Sequence, residues 1–381
     1  MTAVATDLNP VQELVLEAAA SGTPIRIAGR CHWIDAGRPV NATRVASLAV
    51  HAGIVDYVPG DLTITVRSGT TLREIENLTR AEGQWLPLDP PGSSDGTIGA
   101  TIATGSFGPL AHAFGRARDL VLGVEFVTGD GRAVRGGGRV VKNVAGFDLV
   151  RLVTGSWGTL GVITEVTLRL HSVPLQPATL SLAVPGGRNA LMQRLTSILA
   201  APATPLAVEI VDASLARSIG LPERQQILIL LGGNPASVAA QRDVFSRLGG
   251  AESVDNEAWS RLRTVEDTSP PIVLRISALP ARLAEIWDGA HASLAGGGGA
   301  MLHSMPSLGV IRCILPSGTT HQTVERLLSA TPDATVVFER LPSAMWAAFS
   351  PSVVDDRLSR GIKLAFDPSN ILNPGILGPT S

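Results

Sequence analysis

Gly136-Gly137-Gly138-Arg139-Val140-Val141-Lys142-Asn143-Val144-Ala145-Gly146-Phe147-Asp148-Leu149, continued after a short gap by Gly155-Ser156-Trp157-Gly158-Thr159-Leu160-Gly161-Val162-Ile163-Thr164-Glu165, is the stretch on which the reading of the fold turns. Glycine recurs where a backbone must bend tightly or approach another group closely, and here it leads into an alternating apolar run over 162–170. A glycine-lined turn feeding a strand reads as a cradle for a cofactor.

Two earlier segments have the same character. Ala28-Gly29-Arg30-Cys31-His32-Trp33 follows a strand-like run over 24–29, and Gly96-Thr97-Ile98-Gly99-Ala100-Thr101-Ile102-Ala103-Thr104-Gly105 lies about midway to the third. Binding a dinucleotide requires backbone N–H groups aimed at a pyrophosphate and side chains small enough to let the chain touch it. One glycine turn is usually plain chain reversal; three in this order and spacing carry the argument. Neither a G-x-G-x-x-G after a strand nor a G-x-x-x-x-G-K-[ST] occurs, so Rossmann and P-loop readings fall away, and no H-E-x-x-H marks a zincin. The seven histidines are scattered without ligand spacing, and no metal site is expected.

At 381 residues the chain exceeds what one core usually serves, so two domains are expected. With 31 basic and 33 acidic residues, a formal net charge of -2 gives no reason to expect nucleic acid as a partner. Cys31 and Cys313 fit neither a metal site nor a disulfide framework, which suits a reducing cytoplasm. Residues 1–10 lack the pattern of a signal peptide, and no run of about 18 apolar residues suggests a transmembrane segment. Mean hydropathy is nonetheless positive at +0.25, as expected of a protein that hides surface against other subunits.

Local signals set the order of elements. A helix is expected over 11–20 and strands over 55–58 and 62–66 around the turn Pro59-Gly60-Asp61. Thr71 with Glu74 makes a capping box for a helix closing near Gly83. Prolines and glycines over 88–96 force a loop, and Gly129-Asp130-Gly131 turns a hairpin between 120–127 and 132–135. The first domain should end near Pro174; beyond it, strand-like runs at 180–184 and 227–231 alternate with helical segments, and 295–300 reads as a glycine-rich surface loop.

These motifs carry a resemblance. The run 23–29 with Gly37-Arg38-Pro39-Val40, the run 114–123, the Val141-Lys142-Asn143-Val144-Ala145-Gly146-Phe147-Asp148-Leu149 stretch, and the closing Phe366-Asp367-Pro368 and Leu372-Asn373-Pro374-Gly375 resemble the vanillyl-alcohol-oxidase-type FAD-linked oxidases. Within that family the likeness is to the FAD-binding subunits of glycolate oxidase. It implies an α+β fold: a two-part PCMH-type FAD-binding domain over 1–174, an α+β cap with an antiparallel sheet over 175–360, and a segment 361–381 returning to the first domain.

The resemblance implies FAD as cofactor. Gly29, Arg30, Cys31, His32 and Trp33 would hold the pyrophosphate. Gly92, Gly96, Thr97, Ile98, Gly99, Thr104 and Gly105 would pass beside the isoalloxazine. Gly158, Thr159, Gly161, Val162 and Ile163 would reach the adenine side, and Lys142 would contact the ribityl chain or substrate. Asp148 reads instead as a cap or a paired structural ion, and Arg116, Arg118 and Asp119 as a local charge cluster. His32 coincides with the histidine that some relatives bond covalently to the flavin, so a tether stands beside a plain hydrogen-bonding turn histidine as an expectation.

Three departures matter. The first loop lacks two glycines of the usual Arg-Gly-Gly-Gly-His, Ile376 replaces a basic residue after Asn373-Pro374-Gly375, and the histidine-rich metal motif of relatives acting on 2-hydroxy acids is absent, so no catalytic base is assigned. The implied role is the FAD-binding subunit of a glycolate-oxidase-like complex, passing electrons alongside a second FAD-linked oxidase subunit and an iron–sulfur subunit. Membrane contact would come only through the complex, and the substrate would be a small 2-hydroxy acid. A non-catalytic assembly subunit and a stand-alone dehydrogenase remain alternatives.

Overall fold

The computed structural model describes residues 9–138, 147–184, 186–267, 271–296, 298–349 and 357–378. The stretch 139–146, Lys142 included, lies outside the described residues.

The chain opens with helix Pro10–Ser21, started by an Asn9 and Gln12 capping box with Pro10 in the first turn, and ended by Gly22 at φ +63°. It buries Val11, Val15 and Ala18 against a two-stranded parallel pair, Ile25–Ala28 with Arg44–Ser47. A five-stranded antiparallel sheet follows, in the order Ile54–Val58, Thr63–Arg67, Val162–Arg169, Val121–Val127, Ala133–Gly137. The expected hairpin is present, with Val127 opposite Ala133 and Phe126 opposite Val134. The expected capping box is present too: Thr71 Oγ1 accepts from Glu74 N, and Glu74 Oε2 accepts from Thr71 N, at the start of helix Leu72–Arg80.

One local reading needs correcting. Residues 96–105 are not simply a glycine turn; they contain helix Ile98–Thr104, capped by Thr97 and closed by Gly105 at φ +63°. The helix buries Ile98 and Ile102 in the core with Ile64, Val66, Phe126 and Leu168. Gly99 permits this seating, because a Cβ there would stand 2.5 Å from Ser68 Cβ and 2.8 Å from Ser68 O.

The second half forms one eight-stranded antiparallel sheet, ordered Ala251–Val254, Gln176–Ala183, Gln226–Gly233, Ala207–Val211, Met301–Met305, Val310–Leu315, Ile272–Ser277, Thr335–Arg340. Side chains alternate along a strand, so each strand contributes to two faces. One face, with Leu180, Val208, Ile229, Leu274 and Ile311, packs on helices carrying Leu195, Phe245, Trp287 and Val324. Residues between those positions, among them Glu209, Arg275, His303 and Arg312, occupy the opposite face. No helix among the described residues is long and apolar enough to cross a membrane.

Candidate functional site

The edge of the parallel pair, helix Ile98–Thr104 and the loop before Val162–Arg169 enclose a cleft of about 1100 Å³, open solvent at its mouth included. The three glycine segments meet there. Gly29, Arg30, Cys31, His32 and Trp33 line it from the first; Gly92, Gly96, Thr97, Gly99 and Thr104 from the second; Gly158, Gly161 and Ile163 from the third. The approach of the first two is close: a Cβ on Gly29 would lie 2.1 Å from Thr97 Oγ1.

Four expected residues turn away from the cleft. Ile98 and Val162 are fully buried in apolar cores, as strand and helix periodicity requires of positions beside cleft-facing neighbours. Thr159 spends its hydroxyl on Ser156 O at 2.7 Å, and Gly105 terminates the helix beside Gly155. Lys142 lies outside the described residues. Asp148 takes the structural role, capping helix Leu149–Val153 through Arg151 N and pairing with the Arg151 side chain at 3.1 Å. Of the expected charge cluster, Arg118 pairs with Asp119 at 3.9 Å and Asp119 accepts from Arg116 N, while the Arg116 guanidinium lies over the Phe107 ring at 4.7 Å.

Gly92-Ser93-Ser94-Asp95-Gly96 matches the spacing of a hydrolase nucleophile elbow, yet it lies in an irregular loop without the strand-to-helix turn that exposes such a serine. Asp95 is engaged by Arg73 at 2.7 Å. Cleft residues that motif reading missed include Arg26, Ser68, Trp157 and Asn373. Arg26, Trp157 and Asn373 lie inside quoted motifs without being singled out, and Ser68 carried no signal.

The cleft suits a flavin dinucleotide on three counts. Among the described residues its lining includes Arg26 and Arg30 and no carboxylate, as a pyrophosphate requires. Three buried polar atoms facing this region, Arg26 Nη1, Trp33 Nε1 and Ser68 Oγ, have no partner among the described residues. The third count is the glycine packing, which brings backbone rather than side chains to the cleft surface. Arg26 is held by Ala36 O at 3.0 Å, and burial lowers its pKa without removing its charge.

Beside the cleft stands a charged cluster. A side pocket of about 260 Å³ adjoins the cleft through Pro91 and Ser106 and is lined by Arg275, Arg312, Glu339, Phe107, Met305 and Val310. Arg312 is buried, its Nε and Nη2 donating to Glu266 at 2.5 and 3.1 Å and its Nη1 to Glu339 at 2.5 Å. Arg275 reaches Glu339 at 3.4 Å. Burial pushes the Glu339 carboxyl up, but Arg312 and Arg275 outweigh it and hold it below the usual range.

Opposite Arg312 on the next strand, His303 Nδ1 lies 2.5 Å from Glu209 Oε1. Burial and the neighbouring Arg312 hold the His303 pKa down at about 4, and burial raises that of Glu209. Among the described residues no group of three or more His, Cys, Asp or Glu side chains is arranged to hold a metal.

Comparison with known proteins agrees with this geometry. Residues 1–137 match the model of an FAD binding domain. The whole fold superposes on p-cresol methylhydroxylase with a TM-score of 0.72 at 17% identity, covering 97% of this chain and 86% of that one, and on alkyldihydroxyacetonephosphate synthase with a TM-score of 0.69 at 19% identity, covering 96% and 75%. The chain thus carries an FAD-binding domain in a fold of the p-cresol methylhydroxylase type.

In sequence the chain is 37% identical over 253 residues to glycolate oxidase subunit GlcE of Escherichia coli, spanning 66% of this chain and 67% of that protein. Glycolate oxidase subunit GlcD of Bacillus subtilis is 31% identical over 234 residues, 60% of this chain and half of that protein. The chain belongs to the family of FAD-linked oxidases that contains glycolate oxidase subunit GlcE.

Proposed function

We propose that the chain is the FAD-binding subunit of a glycolate-oxidase-like complex, taking part in flavin-mediated electron transfer from glycolate or a related 2-hydroxy acid. In this reading residues 1–174 hold FAD, 175–360 form a cap that faces the flavin and the partners, and 361–381 return to the first domain. Gly29 to Trp33 serve the pyrophosphate, 96–104 the isoalloxazine and 158–163 the adenine side. The partners are a second FAD-linked oxidase subunit and an iron–sulfur subunit in the cytoplasm. The relatives named as GlcE and GlcD support a multi-subunit setting.

The observation that carries the reading is the state of the side pocket. Every ionisable side chain lining it is a guanidinium, Arg275 or Arg312, or a carboxylate held by both, Glu339. Oxidising a 2-hydroxy acid takes a proton from its hydroxyl, and a general base for that needs a free acceptor with a pKa near the working pH. Glu339 is committed and depressed, and His303, beside Arg312 and outside the pocket lining, is paired with Glu209. Bound FAD supplies the acceptance of electrons. The chain's own residues bind and orient it, and proton removal from substrate falls to a partner subunit.

The test is reconstitution. The purified chain should be yellow with FAD and inert toward glycolate and lactate with an artificial acceptor, and should support turnover once the partner subunits are added. Robust turnover by the chain alone would make it a stand-alone dehydrogenase. A colourless chain that still assembles would make it a structural subunit.

A further inference from the structure

The far end of the chain takes part in the cleft. Residues 371–373 run beside strand Ile25–Ala28: Ile25 N donates to Ile371 O at 2.8 Å, Asn373 N donates to Ile25 O at 3.0 Å, and Ile25 and Leu372 form a parallel bridge. The Asn373 side chain then reaches both ways. Its Oδ1 accepts from Ile27 N at 2.6 Å and its Nδ2 donates to Trp157 O at 2.7 Å. Ile27, Trp157 and Asn373 all line the cleft.

The turn it holds is one that needs holding. Trp157 sits at φ +55°, where a bulky side chain is rare, and Gly158 follows at φ +70°. Trp157 N donates to Ala103 O at 2.8 Å, so this turn is where helix Ile98–Thr104, strand Ile25–Ala28 and the closing segment meet. A Cβ on Gly158 would lie 2.8 Å from Asn373 Nδ2.

The belt is buttressed from behind. Buried Lys363 donates to Thr159 O at 3.0 Å, Leu372 O at 3.1 Å and Asp367 Oδ2 at 2.8 Å, and Asp367 accepts from Ile371 N and Leu372 N. One cation thus joins the turn, the closing segment and helix Arg357–Phe366.

We infer that Asn373 is a positioning residue for FAD: by bridging Ile27 and Trp157 it fixes the 157–158 turn against the first strand, and the cofactor is retained only while residues 363–376 are docked. The inference rests on FAD binding and not on the identity of the substrate. Its test is FAD affinity of the full-length apoprotein, read by quenching of flavin fluorescence, with the apoprotein melting temperature as a control for folding.

Asn373→Asp keeps the acceptor for Ile27 N and loses the donor to Trp157 O; Asn373→Ala loses both. Both should weaken FAD binding at least about tenfold with similar losses, while the apoprotein melts within a few degrees of wild type. Rescue by Asn373→Asp to within about twofold would confine the residue's role to the first strand and overturn the proposal. So would an unchanged affinity in Asn373→Ala. If neither variant folds, hydrogen exchange on the wild type decides: FAD should slow exchange at 157–161 and 371–376 together, and protection of only one of the two segments would overturn the coupling.

Discussion

The cleft and the side pocket that adjoins it are made of opposite materials. On one side, glycines and hydroxyls bring backbone into range, and polar atoms such as Ser68 Oγ and Trp33 Nε1 have no partner among the described residues. On the other, Arg312, Glu266, Glu339 and Arg275 satisfy one another inside the sheet face. A wall with vacancies is built to receive a molecule, whereas a wall with none is built to keep its shape. The difference separates cofactor binding from the rigidity that orients it, and each can be attacked alone.

The largest effect should come from breaking the charged wall. Arg312→Met strands Glu266 as a buried carboxylate and should cost about 3–5 kcal/mol of stability by chemical denaturation. Adding Glu266→Leu should return a good part of that loss; a double variant no better than the single one would mean the network is not a closed unit.

Asp89, on the proline loop between the walls, offers a pH probe. Desolvation raises its carboxyl to about 7, against backbone donation from Leu110 N, which lowers it. A carboxyl whose folded pKa is raised holds its proton better when folded, so its contribution is fully present below about pH 4 and is lost as pH rises through about 7. Asp89→Asn should abolish a decline on the order of 4 kcal/mol between pH 4 and 8. Equal declines in both proteins would show that another group is responsible.

The backbone wall is broken by adding a side chain. Gly99→Val places a branched carbon where Ser68 already stands and should cost about 1–3 kcal/mol by overpacking. FAD affinity should fall with it, since the helix that carries Thr97 and Thr104 shifts. Unaltered flavin content in the purified variant would sever that link. The smallest effect should be at the rim, where exposed Arg73 pairs with Asp95. Arg73→Ala should leave both the denaturation midpoint and FAD binding close to wild type.

Much of the backbone wall was legible in the sequence because its devices are local. The Thr71 and Glu74 box, the Asp130-Gly131 turn and the glycine clusters each lie within a few residues, and local chemistry decides them. Helix Ile98–Thr104 was hidden by its glycine, which serves packing on Ser68 and not a turn. Ile98 and Val162 fell inside cleft-lining segments yet point inward, since a motif names a segment and the periodicity of the element selects which positions face the cleft. The charged wall was illegible because its partners are scattered: Arg312 meets Glu266 across 46 positions and Glu339 across 27.

The bond between Ile27 and Asn373 spans 346 positions. During synthesis the first strand therefore leaves the ribosome long before its closing neighbour exists, and the nascent protein must wait with an unfinished edge. On the inference drawn for Asn373, the first strand gains its full hold on the flavin only after residue 373 has been made.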